Sequence, residues 1–91
     1  MTNVYCVIKH RTVWDRATWN PISVATKLLG VFGTYNDACD FAKKDIDEEE
    51  ERLSKIEKSR GVERTSDNTV SCGFGYEDVE YNTEVRVEPL M

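Results

Sequence analysis

Apolar and polar residues alternate along both ends of the chain. Residues 3–12 contain V-Y-C-V-I at 4–8 and predict a strand that is apolar on both faces near its start. Residues 22–32 predict a second strand with a dense apolar run toward its end, and the connection 14–21 joins the two. Residues 70–76 and 79–87 alternate strictly and are separated by a short break. They predict a hairpin with one buried and one solvated face.

The middle of the chain has the periodicity of an α-helix. Thr34 is a candidate N-cap, and Asp37 three residues later completes a capping-box pattern. From Tyr35 to about Ser59, apolar residues recur at helical spacing. That stripe consists of Tyr35, Ala38, Ala42, Ile46, Leu53 and Ile56. Glu49 interrupts the stripe, and Gly61 supplies a helix stop.

These elements predict an α+β fold in the order ββαββ, over a single domain of residues 1–91. One long, acidic, amphipathic helix is expected on one face of an antiparallel sheet. A helix of about 25 residues spans roughly 37 Å, whereas a strand of eight covers about 27 Å. The helix should therefore overhang the sheet after Ile46. Leu53 and Ile56 would then be covered by the polar link 62–68 or by another chain.

The charge of the chain narrows the classes of partner. The net charge is −5 at pH 7, and residues 35–51 hold eight acids and two bases. This balance argues against direct binding of nucleic acid or an anionic membrane, because such binding requires clustered Lys and Arg. No apolar stretch reaches the length of a membrane span. The three cysteines are widely spaced, which favours a reducing, cytoplasmic location.

Candidate catalytic and metal-binding residues do not form a recognisable motif. His10 is the only histidine, and no triad-like signature surrounds it. Cys6 and Cys72 are expected on inward strand faces and Cys39 near the start of the helix, so all three could meet in the core. With His10 they are a conceivable zinc set, but they lack the close cysteine pairs typical of structural zinc. Gly30 and Gly33 precede a helix whose first turn is acidic, which disfavours a phosphate, and Gly73 with Gly75 are expected to relieve crowding between neighbouring strands. We therefore expect no enzyme activity, no metal and no cofactor.

Two segments are candidate partner-binding surfaces. The connection between the first two strands contains Trp14, Arg16 and Trp19, and Trp and Arg are enriched in binding hot spots. The alternative is that one or both Trp side chains fold over an open sheet face. The second candidate is the acidic part of the helix, which is otherwise a solvated helix face. Its proposed contact residues are Asp47, Glu48, Glu50, Glu51, Leu53 and Ile56.

Two short motifs resemble a group of short proteins of bacterial, phage and fungal genomes. The motifs are V-Y-C-V at 4–7 and L-G-V-F-G-T-Y-N-D-A at 29–38. Proteins of that group start with V-Y-x-V and carry G-V-F/Y-x-S/T, followed three or four residues later by Ala. The resemblance covers about 15 residues and implies a strand, a turn and a capped helix. It implies no activity, ligand or site.

The sequence favours a non-enzymatic protein-interaction or regulatory module, whose partner is a protein with a basic surface or a second copy of this chain. One alternative is an inhibitor from a mobile element, whose acidic helix occupies a basic nucleic-acid-binding groove on a nuclease or defence complex. Another is a small enzyme or ligand-binding domain with a pocket lined by Trp14, Trp19 and His10.

Overall fold

The computed structural model describes residues 2–56 and 59–90. Within them, five strands form one antiparallel sheet in the order β2-β1-β5-β4-β3, and one helix packs against it. The elements are β1 (Thr2–Asp15), β2 (Pro21–Phe32), α1 (Tyr35–Ser54), β3 (Arg60–Ser66), β4 (Thr69–Phe74) and β5 (Glu77–Leu90). The predicted α+β class is therefore confirmed, and a strand that the pattern did not predict is added between the helix and the last hairpin.

The long strands β1 and β5 form the middle of the sheet. They pair without interruption from Thr2 opposite Leu90 to Asp15 opposite Glu77. On the other side of β1, the register with β2 shifts between Val7 and Ile8, opposite Gly30. The shift leaves one extra residue in β2, the irregularity that a strand glycine favours.

Two apolar clusters join the helix to the sheet. Near the start of α1, Ala38 and Ala42 pack against Val7 of β1. Near its end, Ile46 and Leu53 lie in a larger cluster, and both are at most 1% exposed. The strand residues of that cluster are Val13, Val70, Cys72, Val79 and Tyr81. Burying a side chain the size of leucine contributes about 1.5–3 kcal/mol, so the second cluster dominates the attachment of the helix.

The predicted helical overhang is wrong. The helix ends at Ser54 rather than near Ser59, and residues 57 and 58 lie outside the described residues. Most of the segment predicted as a polar link forms β3, from which Val62 packs against the cluster around Leu53. Ile56 packs against the same cluster. The chain itself thus covers both residues, and no second chain is needed to bury Leu53.

Thr34 caps the helix as predicted. Its hydroxyl accepts a hydrogen bond from the Asp37 amide at 3.2 Å, and its backbone is extended (φ −128°, ψ 150°). This bond satisfies one of the amides that the first helical turn leaves without a partner.

The sheet face opposite α1 is not covered by any described element, and we call it the open face. Because side chains alternate along a strand, the even-numbered residues of β1 point away from buried Val7 and Val13 and toward the open face, including Cys6, His10 and Trp14. Cys72 instead belongs to the core beneath α1. The expectation that Cys6 and Cys72 share an inward face is therefore wrong.

Candidate functional site

A tightly bonded turn joins β1 to β2 and carries Trp19. The Trp19 amide donates to the Asp15 carbonyl at 2.7 Å, and the Asp15 amide donates to the Asn20 carbonyl at 2.9 Å. The Asp15 carboxylate also accepts from the Ala17 amide at 2.9 Å, a bond typical of aspartate in turns. The Arg16 amide donates to the Tyr76 carbonyl, which ties this turn to the β4–β5 turn. The backbone around Trp19 is therefore fixed by local hydrogen bonds.

Trp19 is held in an unfavourable conformation and in an unfavourable environment. Its φ is +57°, in the left-handed region, where it is the one non-glycine among the described residues. That conformation costs an L-residue about 1–2 kcal/mol. The indole is also 63% exposed, although burial of so large an apolar side chain would be favourable. Neither cost is offset by a core contact.

Trp19 borders a concave region of the open face, and the residue at the bottom of that region is a glycine, Gly73. Trp14, Asp78, Gly73 and Arg60 follow one another across β1, β5, β4 and β3. A Cβ atom on Gly73 would lie 3.3 Å from the Asp78 carboxylate and 3.5 Å from the Arg60 carbonyl. Gly73 thus leaves a depression between the larger side chains of Asp78 and Arg60.

The far wall of this region comes from β3. The register between β3 and β4 shifts between Arg60 and Glu63, and Gly61 in that interval has φ +60°. A glycine in the left-handed region at such a shift is the usual device that bends a strand. The result is a cavity of about 640 Å³ bordered by both tryptophans. We call it the Trp concavity.

The Trp concavity has an excess of negative charge. Its lining includes the carboxylates of Glu63, Asp78 and Glu80 and the guanidinium groups of Arg16 and Arg60. Both arginines are engaged: Arg16 lies 3.6 Å from Asp78, and Arg60 donates to the Gly75 carbonyl. Within the described residues, Glu63 and Glu80 form no ion pair. A cationic group in the concavity would therefore meet the carboxylates of Glu63 and Glu80 beside two indole rings, in a lining with three carboxylates and two guanidinium groups.

The structure brings together Trp14, Arg16 and Trp19 of the predicted partner-binding residues, and it keeps His10 apart from them. His10 lies farther along β1, where its Nε2 is 2.8 Å from Glu84 and its Nδ1 is 3.2 Å from the Thr26 hydroxyl. The hydrogen bond from His10 lowers the pKa of the Glu84 carboxyl. The expected pocket with two tryptophans exists, but His10 does not line it.

The acidic helix face is largely paired within the chain. Arg64 of β3 lies 2.8 Å from Asp47 and 3.4 Å from Glu50, and Lys55 lies 2.9 Å from Glu51. Hydrogen bonds from Arg64 and then Lys43 lower the pKa of the Asp47 carboxyl. Glu48 is exposed. Of the remaining predicted contact residues, Leu53 is 1% exposed and Ile56 is half-buried, so neither forms part of an exposed apolar surface.

Two further structural observations concern metals and membranes. In residues 2–56 and 59–90, no three or more His, Cys, Asp or Glu side chains are grouped to hold a metal ion. Across the same residues, no helix combines the length and the apolar character needed to cross a bilayer.

Sequence reasoning missed the residues that β3 and β4 contribute to the concavity. Arg60 and Glu63 belong to the segment predicted as a helix end and a link, and Gly73 was expected to relieve crowding between strands. The one usable signal was the pair Gly73 and Gly75 in an otherwise alternating strand, because a strand glycine often marks a close approach.

Fold and concavity together define a two-layer α+β protein with a five-stranded antiparallel sheet, one helix and a recessed aromatic site on the uncovered sheet face. Comparison with protein-family models, with curated proteins and with solved structures finds no match to this chain.

Proposed function

We propose that this chain is a non-enzymatic protein-interaction module, and that the Trp concavity is its binding site for a cationic side chain of a partner protein. Trp19 carries the proposal. The exposure of its side chain, 63%, and its left-handed backbone, φ +57°, are both unfavourable for folding. Such costs are typical of binding and catalytic sites, where they are offset in the complex.

The charge of the concavity supports a basic partner. Lysine and arginine bind favourably to the faces of aromatic rings, most strongly to tryptophan. Glu63 and Glu80 add two carboxylates beside the indoles. The acidic helix face supports this role less well, because Arg64 and Lys55 already neutralise much of it. We therefore place the partner on the open face rather than on the helix.

Capture on immobilised protein tests the proposal. Wild-type chain, Trp19→Asn and Tyr76→Ser would be exposed to lysate of the source cells, and the retained proteins identified by mass spectrometry. Asparagine tolerates the left-handed backbone, so Trp19→Asn should keep its stability within about 1 kcal/mol. Tyr76 is 89% exposed and does not border the concavity, which makes it the matched control.

The expected result is a protein retained by wild type and by Tyr76→Ser but lost with Trp19→Asn. Its binding should also weaken when Glu63 and Glu80 are replaced by Gln. The same proteins on all three supports would contradict the proposal, provided that circular dichroism shows Trp19→Asn to be folded.

A small-ligand site is the second candidate function, and the size of the concavity favours it. A volume of about 640 Å³ lies within the usual range of small-molecule pockets. For such a site, a free cationic metabolite in the low-molecular-weight fraction of a lysate would quench the fluorescence of Trp14 or Trp19. Fluorescence that changes with protein fractions only would favour the interaction module.

A further inference from the structure

A second cavity lies on the helix side of the sheet, where two arginines meet one tyrosine. Tyr81 of β5 is 9% exposed, and its hydroxyl accepts from Arg11 Nε at 3.2 Å and from Arg52 Nη2 at 3.0 Å. The three side chains line a cavity of about 300 Å³, which shares no lining residue but Val79 with the Trp concavity.

Every polar group of this trio is a hydrogen-bond donor toward the cavity. The Tyr81 oxygen already accepts from two guanidinium groups, so its own O–H remains available to donate. Arg11 uses only Nε in its bond to Tyr81, and a guanidinium carries five N–H groups and no acceptor. A ligand here must therefore supply acceptors.

Three cations surround Tyr81, and one of them, Arg11, is available to an anionic acceptor. Lys9 and Arg52 share carboxylate partners, since Glu49 binds both and Asp45 lies 2.9 Å from Lys9. Within the described residues, Arg11 forms no ion pair. The side chains of Leu53, Phe74 and Val79 supply apolar walls, and such surroundings strengthen charged hydrogen bonds.

We propose that Arg11, Arg52 and the Tyr81 hydroxyl form a binding site for an oxyanion, a phosphate or a carboxylate group. Guanidinium groups bind both ions through paired N–H donors. The carboxylate of Glu77 lines the same cavity and is the internal competitor for these donors. The site stands on residues other than Trp19, Glu63 and Glu80, so it holds or fails independently of the proposed function.

NMR titration with inorganic phosphate and with acetate, at constant ionic strength set by sodium chloride, tests this site. Saturable shifts at Arg11 and Tyr81 are expected with at least one of the two, and the tighter one identifies the ligand group. Tyr81→Phe and Arg11→Gln should each weaken binding about tenfold, the loss typical of one hydrogen bond to a charged group. Glu77→Gln should tighten it by removing the competing carboxylate.

Tyr76→Phe is the matched control, because it removes a tyrosine hydroxyl that is fully outside the cavity, and its affinity should equal that of wild type. Shifts no larger than those caused by chloride would overturn the proposal. So would equal affinities of Tyr81→Phe, Arg11→Gln and wild type. Arg11 is exposed, so its variant provides a folded comparison even if Tyr81→Phe unfolds.

Discussion

Lys9 lies beneath helix α1 and explains why the apolar stripe of the helix contains Glu49, because the two side chains form an ion pair. Its ammonium is 2.7 Å from Glu49 and 2.9 Å from Asp45, and its side chain is 17% exposed. Burial alone would lower the pKa of Lys9, but the hydrogen bond to Glu49 and the ion pair with Asp45 outweigh it and raise that pKa above 10.5. Glu49 therefore replaces an apolar contact with an ion pair between helix and sheet.

Replacing Lys9 with Met should lower the free energy of unfolding by about 2 kcal/mol. The change leaves Asp45 without its cation and Glu49 with Arg52 alone. Loss of one partner costs about 3–5 kcal/mol when an ion pair is fully buried, and this pair is partly solvated. Urea denaturation measures the loss. Lys27→Met on the facing position of β2 is the matched control, and it should cost no more than about 0.5 kcal/mol. Equal losses in the two variants would contradict this account.

Strand β3 covers the second half of the helix with one apolar and one charged residue. Val62 packs on the cluster around Leu53, and Arg64 binds Asp47 and Glu50 of the helix. One strand thus supplies both an apolar and a charged contact to the second half of α1. The acidic face of α1 and strand β3 thus form one interface.

Leu53→Ala should therefore destabilise the protein by about 2–5 kcal/mol, the range for a leucine removed from a packed core. Leu28→Ala is the matched control, because Leu28 is 57% exposed on the open face and Leu53 is 1% exposed. The control should change the free energy of unfolding by about 0.5 kcal/mol or less. A small loss with Leu53→Ala would mean that the helix end is not packed in solution.

The elements that carry strong periodicity could be predicted from the sequence, and β3 could not. Alternation identified both long strands, and the Thr34 cap located the helix start within a residue. Strand β3 has Val62 as its only large apolar residue, so its strand state depends on pairing with β4 rather than on its own pattern. The β1–β2 connection with Trp14, Arg16 and Trp19 was predicted as a candidate surface from residue type, because Trp and Arg are enriched in binding hot spots. The depression at Gly73 depends on cross-strand neighbours that no local pattern reveals.

The molecule as a whole is a thin, extended plate. Its principal extents are 48 × 25 × 16 Å and its radius of gyration is 14.7 Å, whereas a compact chain of this length has about 12 Å. One helix covers one face of a five-stranded sheet, so the opposite face keeps apolar side chains in contact with solvent. Val24, Leu28 and Val31 of β2 are each more than half exposed. This shape makes charged contacts a larger share of the total stability than in a three-layer fold.

Stability should accordingly show a plateau between about pH 5 and pH 9, with losses on both sides. The lowered pKa values of Asp47 and Glu84 contribute stability above their ordinary values of 3.8 and 4.5. That contribution is lost as the pH falls through the folded-state values. Burial raises the pKa of the Cys72 thiol above 9.0, and Lys9 is raised above 10.5. Their contributions are present at neutral pH and are lost as the pH rises through the folded-state values.

Urea denaturation at one-unit pH intervals measures this profile, and two variants separate its limbs. His10→Gln removes the hydrogen bond that lowers the pKa of Glu84, so its stability should fall less steeply below pH 5 than that of wild type. Cys72→Ala removes the buried thiol, so its alkaline loss should begin nearer the Lys9 transition, above pH 10.5. If His10→Gln and wild type lose stability in parallel below pH 5, the pair on the open face contributes nothing to the acid limb. If Cys72→Ala keeps the wild-type alkaline limb, the thiol is not the cause of that limb.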